Sequence, residues 1–342
     1  MVKDRLKAFL IQSPLLSRAM FTAWQVWNGP MVARESARRA ALSPFDWEGL
    51  TAHLPFGPRE WVIDNNLYGH VAALRHYSGA TAPLKAYLEH GLFWARTIHR
   101  DERHWWVPTI VTFSEERRQL IEAEVPGKKA VPLGPYIHYA APLWEEERRL
   151  EMKQQLGRVL LVFPSHPTRG VGKQFDMALW MDAIKAVAVD YETVVVSLYF
   201  LDALKPEMVE IYRAAGYRVA TSGHKFDHHF IRRQRLLLEW ADMTMSNEMG
   251  THVGYCRYLG KPHYLVPQEV VSIEEEKGQL QRLLLQGGTD LSMEIQAAME
   301  AGKALFPLHP SAEVQAAQDA WVAQKWGFDS IKSPEEIARL FG

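Results

Sequence analysis

The sequence has a single cysteine, Cys256, so no intrachain disulfide can staple the fold and the chain suits a reducing compartment. It has no apolar run of about 18 residues and no cleavable signal-peptide pattern, which predicts a cytoplasmic protein. The net charge of −1 gives no general attraction to nucleic acid, and no nucleic-acid partner is expected. Dinucleotide and P-loop sites lack their glycines, because neither GxGxxG nor GxxxxGK followed by Ser or Thr occurs in place. HExxH, paired CxxC and the GxSxG elbow are also missing. There is no Asp-x-Asp, which counts against a metal-dependent sugar-transferase site. No metal and no cofactor are expected.

What is present describes a globular α/β protein. With 342 residues, 47% apolar and 23% charged, the chain is long for one core and predicts two units. Residues 1–59 read as a helical, basic N-terminal segment, in which Lys3, Arg5, Lys7, Arg18, Arg34, Arg38 and Arg39 face only Asp4 and Glu35 up to residue 41. Leu6, Phe9, Leu10, Leu15, Leu16, Met20, Phe21 and Trp24 are interleaved with them. Such a segment can lie on an anionic membrane surface or pack on its own domain with a solvated basic face, and both readings stay open.

From residue 60 onward, strands and helices alternate, as in doubly wound parallel sheets. In residues 60–140, the expected strands are 61–64, 84–91, 108–114 and 130–134, with Ser114 capping a helix that starts with Glu115 and Glu116. In residues 141–270, the pattern predicts strands at 158–163, 193–199, 218–220, 243–246 and 263–266. Residues 164–174 read as a polar loop between the first of these and a helix over 175–189. Asp227 is expected to cap the helix that carries Phe230, Leu237, Leu238 and Trp240. Residues 271–342 read as helical, with a capping box at Ser333-Pro-Glu-Glu336.

The chain is organised around residues 241–266. The strand ending at Ser246 runs into a small-residue loop and then a helix starting at Thr251, and Gly260 and Pro262 stop that helix before the next strand. A helix N-terminus after a strand favours anions, so Ser246, Asn247, Gly250 and Thr251 are candidate phosphate ligands, against the alternative of an ordinary βαβ connection. Other polar groups fall at strand ends, where α/β sheets bind ligands. These are Asp64, Asn65 and Asn66; Glu89, His90 and Gly91; Ser165, His166, Pro167, Thr168 and Arg169; and Ser222, Gly223, His224 and Lys225. His224, His228 and His229 lack a carboxylate set for a metal and are read as structural or substrate-binding.

The order strand, Ala241-Asp-Met-Thr-Met-Ser-Asn-Glu-Met-Gly-Thr251, helix, Gly260-Lys-Pro262, strand resembles the donor half of GT-B glycosyltransferases. His166-Pro167 and Ser246-Asn247 stand where bacterial sialyl- and Kdo-transferase-like enzymes of surface-polysaccharide assembly carry a His-Pro pair and a hydroxyl motif. Asn247 departs from that motif, which has a second hydroxyl residue. Glu89-His90-Gly91 is similar to the His-Gly turn of glycerophosphate transferases and related GT-B proteins. The resemblance covers roughly residues 60 to 270. It implies two Rossmann-like domains across a cleft, with 60–140 as the acceptor domain and 141–270 as the nucleotide-sugar domain.

The activity implied is inverting, metal-independent transfer from a nucleotide-sugar donor, with a CMP-sugar favoured, to a bacterial surface glycan or lipid-linked acceptor. The enzyme would be cytoplasmic or peripheral at the inner membrane. The base would be Asp64, Glu89 or His90, and the resemblance tilts the choice toward Asp64 for a CMP-sugar. Ser165, His166, Arg169, His224, Lys225, Ser246, Asn247, Gly250 and Thr251 would bind the donor. A GT-B-fold epimerase and a non-catalytic scaffold of a polysaccharide complex remain as alternatives.

Overall fold

The structure, a computed structural model, describes residues 13–55, 57–98, 102, 106–167, 171–274 and 288–342. Helix α1 spans Pro14–Ala41 and α2 Trp47–Thr51. A 3-10 turn at Ile63–Asn66 and helix α3, His70–Ser78, lead to a three-stranded parallel sheet. Its strands are β1 Tyr87–Leu88, β2 Thr109–Thr112 and β3 Lys129–Pro132, in that spatial order. Helix α4, Glu115–Glu124, crosses from β2 to β3, and the Ser114 hydroxyl accepts from the Arg117 amide at 3.2 Å, as the cap requires.

A 3-10 turn at Tyr136–Tyr139 and helix α5, Glu146–Leu156, connect to the second sheet. The chain then runs through β4 Val159–Phe163, β5 Val171–Gln174, α6 Met177–Ala188 and β6 Thr193–Ser197. It continues through α7 Phe200–Ala203, α8 Pro206–Ala214, β7 Arg218–Ala220, α9 Phe230–Trp240 and β8 Met243–Ser246. Helix α10 Thr251–Tyr258, β9 His263–Leu265 and β10 Val271–Glu274 follow, then α11 Gly288–Lys303, α12 Ala312–Trp326 and α13 Pro334–Ala338. Strands β7, β6, β4, β8 and β9 lie side by side in that order, all parallel.

Central β4 shows why its sequence is uninterruptedly apolar. Val159, Leu161 and Phe163 pack on one side and Leu160 and Val162 on the other, so helices cover both faces. The first of these cores is continuous with Leu88, Val111 and Phe113 of the three-stranded sheet, so apolar packing runs from one sheet to the other. The C-terminal helix α13 packs on α3, and the Lys85 amide donates to the Leu340 carbonyl at 3.2 Å.

Four expectations need correction. Residues 61–64 form no strand; Ile63–Asn66 is a 3-10 turn in which Asn66 Oδ1 accepts from the Arg59 and Glu60 amides. Asn65 takes the place of an edge strand beside β1, donating to the Ala86 carbonyl and accepting from the Leu88 amide. The loop expected at 164–174 contains β5, paired antiparallel with β10, and the latter also interrupts the region expected to be helical after residue 266. Asp227 is not the cap of α9. His229 holds that position, and Asp227 accepts from the His229 amide while pairing with Arg233 at 2.9 Å. Among the described residues, no helix is long and apolar enough to cross a membrane.

Candidate functional site

Chain topology sets where a parallel sheet can hold a ligand. From β4 the chain leaves toward β6 and β7, then returns to the other side of β4 at β8 and β9. The loops after β4 and β8 therefore diverge and leave a crevice at their carboxyl ends. That crevice is part of a cavity of about 340 Å³, a size suited to a small ligand. Phe163, Ser165 and His166 reach it from the end of β4, Tyr199 from β6, and Glu248, Gly250, Thr251, His252 and Tyr255 from β8 and α10. The opposite wall comes from the first half of the chain, with Tyr68, His70, His90, Gly91 and Leu92.

Hydrogen bonds join the walls. The Leu92 amide donates to Thr251 Oγ1 at 2.9 Å, and the Tyr68 and Tyr199 hydroxyls meet at 3.3 Å. Gly91 allows the first, since a Cβ there would stand 3.1 Å from Thr251 Oγ1. Tyr68 takes a left-handed backbone conformation, φ +55°, held by donation from its amide to the Lys225 carbonyl at 2.6 Å. Strained non-glycine backbone of this kind persists where surrounding structure enforces it.

The polar chemistry of the cavity is largely uncharged. His70 Nδ1, Ser165 Oγ, His252 Nε2 and Tyr255 OH are buried atoms that have no hydrogen-bond partner in the structure. The residues His70, Ser165 and Tyr255 are only 4%, 7% and 1% exposed, so unmet hydrogen bonds there are costly unless a ligand supplies them. Burial lowers the His70 and His252 pKa values to about 3, which keeps both rings neutral at pH 7. Burial among the surrounding groups also lowers the His166 pKa below the ordinary histidine value. The His166 ring stacks on Tyr199 with centroids 4.2 Å apart. Lys173 on β5 also lines the cavity, and its ammonium is paired with Glu248 at 2.5 Å.

The candidate residues from the sequence divide into three groups. His90, Ser165, His166, Gly250 and Thr251 line the cavity, and Asp64 Oδ2 stands 3.8 Å behind His90 Nδ1. Ser246, Asn247, Glu89, His224 and Lys225 do not line it. Ser246 is fully buried, with its hydroxyl 3.0 Å from His263 Nε2 and donating to the Glu248 carbonyl. Asn247 Oδ1 accepts from the Ser165 amide at 2.7 Å and its amide group donates to Gln268, so it ties the β4 and β8 loops together. Glu89 is fully buried, pairs with Arg117 at 2.5 Å and accepts from the Thr112 hydroxyl. As a base it would have to give up its close pairing with Arg117, whose other carboxylate neighbour, Glu102, lies 3.9 Å away; that pairing holds the turn before His90. His224 accepts from the Phe226 amide, and burial lowers its pKa to about 4. Arg169 lies outside the described residues.

Sequence reasoning missed Tyr68, His70, Tyr199, His252 and Tyr255. Two of them carried a local signal: Tyr255 stands four residues after Thr251, so it shares that face of α10, and Tyr199 ends the strand expected at 193–199. Two other hollows are roomier, about 450 Å³ beside Trp47 and Arg213 and about 770 Å³ beside Gln268 and Lys303, but neither gathers an unpartnered buried polar atom. Among the described residues, no group of three or more His, Cys, Asp or Glu is placed to hold a metal ion. No family model matches the chain, and no curated protein matches it.

Proposed function

We propose that this chain is an inverting glycosyltransferase of GT-B type, moving a sugar from a nucleotide-sugar donor to a bacterial surface glycan or lipid-linked acceptor. The observation that carries the proposal is one cavity bordered by carboxyl-terminal strand loops of both parallel sheets, centred on the switch point between β4 and β8. In this reading residues 141–270 bind the donor and residues 60–140 present the acceptor. The unpartnered His70, Ser165, His252 and Tyr255 atoms suit a ligand rich in hydroxyls. The first amides of α10, after Gly250, suit its phosphate. The one cation among the described lining residues, Lys173, is already paired with Glu248, which favours a monophosphate donor such as a CMP-sugar over a diphosphate.

His90 is the base in this scheme. Its Nδ1 faces Asp64 at a distance longer than a hydrogen bond, yet close enough for the carboxylate to stabilise an imidazolium. His90 Nε2 takes the acceptor hydroxyl proton as the oxygen bonds to the anomeric carbon. The bond from that carbon to the nucleotide phosphate breaks, and the nucleotide leaves as an anion beside the α10 N-terminus.

Product analysis with the donor, with and without acceptor glycan, tests the proposal in the presence of EDTA. Sugar transfer that needs acceptor and survives chelation is expected, as is a loss of about 100-fold or more in turnover in His90→Ala with nucleotide affinity retained. Conversion of the donor into an epimeric nucleotide sugar, with no acceptor present, would replace transfer by epimerisation. Activity that vanishes with EDTA and returns with magnesium would overturn the metal-independent scheme.

A further inference from the structure

Helix α1 is fixed along one side and bare along the other. Phe21 and Val32 are buried, Ser36 Oγ lies 3.2 Å from His229 Nε2, and buried Arg39 donates to the Leu50 and Ala52 carbonyls. At about 100° per residue these four positions share one side of the helix. The opposite half carries Leu15, Leu16, Val26, Trp27 and Met31, all exposed, with Trp27 85% open to solvent. Single exposed apolar residues are ordinary; a set of large ones along one side of a single helix marks a contact surface.

Charge indicates what the surface meets. Between Asp4 and Glu35 the sequence has no acidic residue, and its charges are Arg5, Lys7, Arg18 and Arg34. Of these, Arg18 lies 4.2 Å over the Trp61 ring, and Arg34 continues the exposed face. A protein partner with an apolar groove would need no such one-sided charge. Anionic phospholipid headgroups complement it, and tryptophan favours the boundary between headgroups and acyl chains. We propose that the exposed face of α1 docks the protein on an anionic membrane surface, with the helix lying in the plane of the interface. The underside of α1 touches His229, whose neighbour Phe230 lines the cavity, so docking holds the cavity close to the membrane. The docking does not depend on the proposed reaction.

Flotation of the full chain tests it, using vesicles of phosphatidylcholine alone and of phosphatidylcholine with phosphatidylglycerol, at low and physiological salt. The protein is expected to float with the anionic vesicles about tenfold more tightly than with the neutral ones, and less tightly as salt rises. Trp27→Glu, at a position with no buried contact to lose, is expected to weaken flotation about tenfold or more while the melting temperature is unchanged. Equal flotation with both vesicle types, no flotation, or a Trp27→Glu variant that floats like the parent would each overturn the proposal. So would a dimer in light scattering that Trp27→Glu dissociates, since a second copy of the chain would then own the surface.

Discussion

Tyr255 and His70 differ from most buried polar residues in that each has a buried polar atom that the protein does not satisfy. Removing such a group costs the fold little and can stabilise it, because an unmet hydroxyl is itself a penalty of about 1–3 kcal/mol. Tyr255→Phe is therefore expected to melt at or above the parent temperature while nucleotide-sugar affinity falls about 3- to 15-fold, as measured by calorimetry. Asn247→Ala should behave oppositely at its first effect, lowering the melting temperature, because it leaves the Ser165 amide without its acceptor. Glu89 shows why residue type alone misleads. In sequence, Glu89-His90-Gly91 is a carboxylate and an imidazole at a turn; in the fold, Arg117 from the first turn of α4 neutralises that carboxylate. Glu89→Gln is expected to cost about 1.5–3 kcal/mol of stability in denaturant unfolding, since it removes the close partner of a buried guanidinium and leaves Glu102 at 3.9 Å. A cost below about 1 kcal/mol, with turnover abolished, would return Glu89 to the catalytic candidates.

At the scale of elements, the second sheet was legible because its central strands β4 and β6 are short, largely apolar runs. β7 has the bounds expected of it, and so does β8, the strand that ends at the crevice. Helix starts marked by Ser114 and Ser333 were legible too, because the cap and its partner are three residues apart. What failed was long-range. β5 pairs with β10, nearly a hundred residues later, and nothing within β5 announces that partner. The strand expected at 61–64 was lost to side-chain amides, with Asn65 and Asn66 binding the backbone that a strand would have paired. The cavity was half legible for the same reason: the α10 start and the β4 end were local features, whereas Tyr68 and His70 arrive by tertiary packing. Helix α10 also has a packing limit. A Cβ on Gly254 would stand 2.2 Å from the Trp326 indole ring. Gly254→Ala is expected to cost about 1–3 kcal/mol, read as a lower denaturant midpoint, by forcing α10 away from α12. An unchanged midpoint would mean that the two helices separate freely.

For the whole molecule, the buried imidazoles set a pH limit. Folding holds His70 and His252 at about 3 and His224, His228 and His229 at about 4, against an unfolded value near 6.5. The unfolded chain therefore binds more protons from about pH 6.5 down to these values. The stability contributed by the neutral rings is present above that window and is lost as pH falls through it. Glu60, pushed up by burial to about 7, has the opposite sign over the upper part of the same window, and it is one group against five. The melting temperature is expected to fall steadily between about pH 6 and pH 4; a flat profile would show that the rings charge without unfolding.

The central claim, that the cavity between the two sheets holds a nucleotide sugar, is tested most directly by thermal shift of the parent protein and a His70→Ala/Tyr255→Phe double variant against CMP, UDP, GDP, CDP and their sugar conjugates, in EDTA. Ligand at a hundred times its dissociation constant adds about 2.7 kcal/mol, which moves a melting temperature by several degrees. The expected result is a shift for a cytidine nucleotide and a larger one for its sugar conjugate, with the extra shift from the sugar reduced in the double variant. No shift with any nucleotide, or equal shifts in parent and variant, would place the donor elsewhere and contradict the claim.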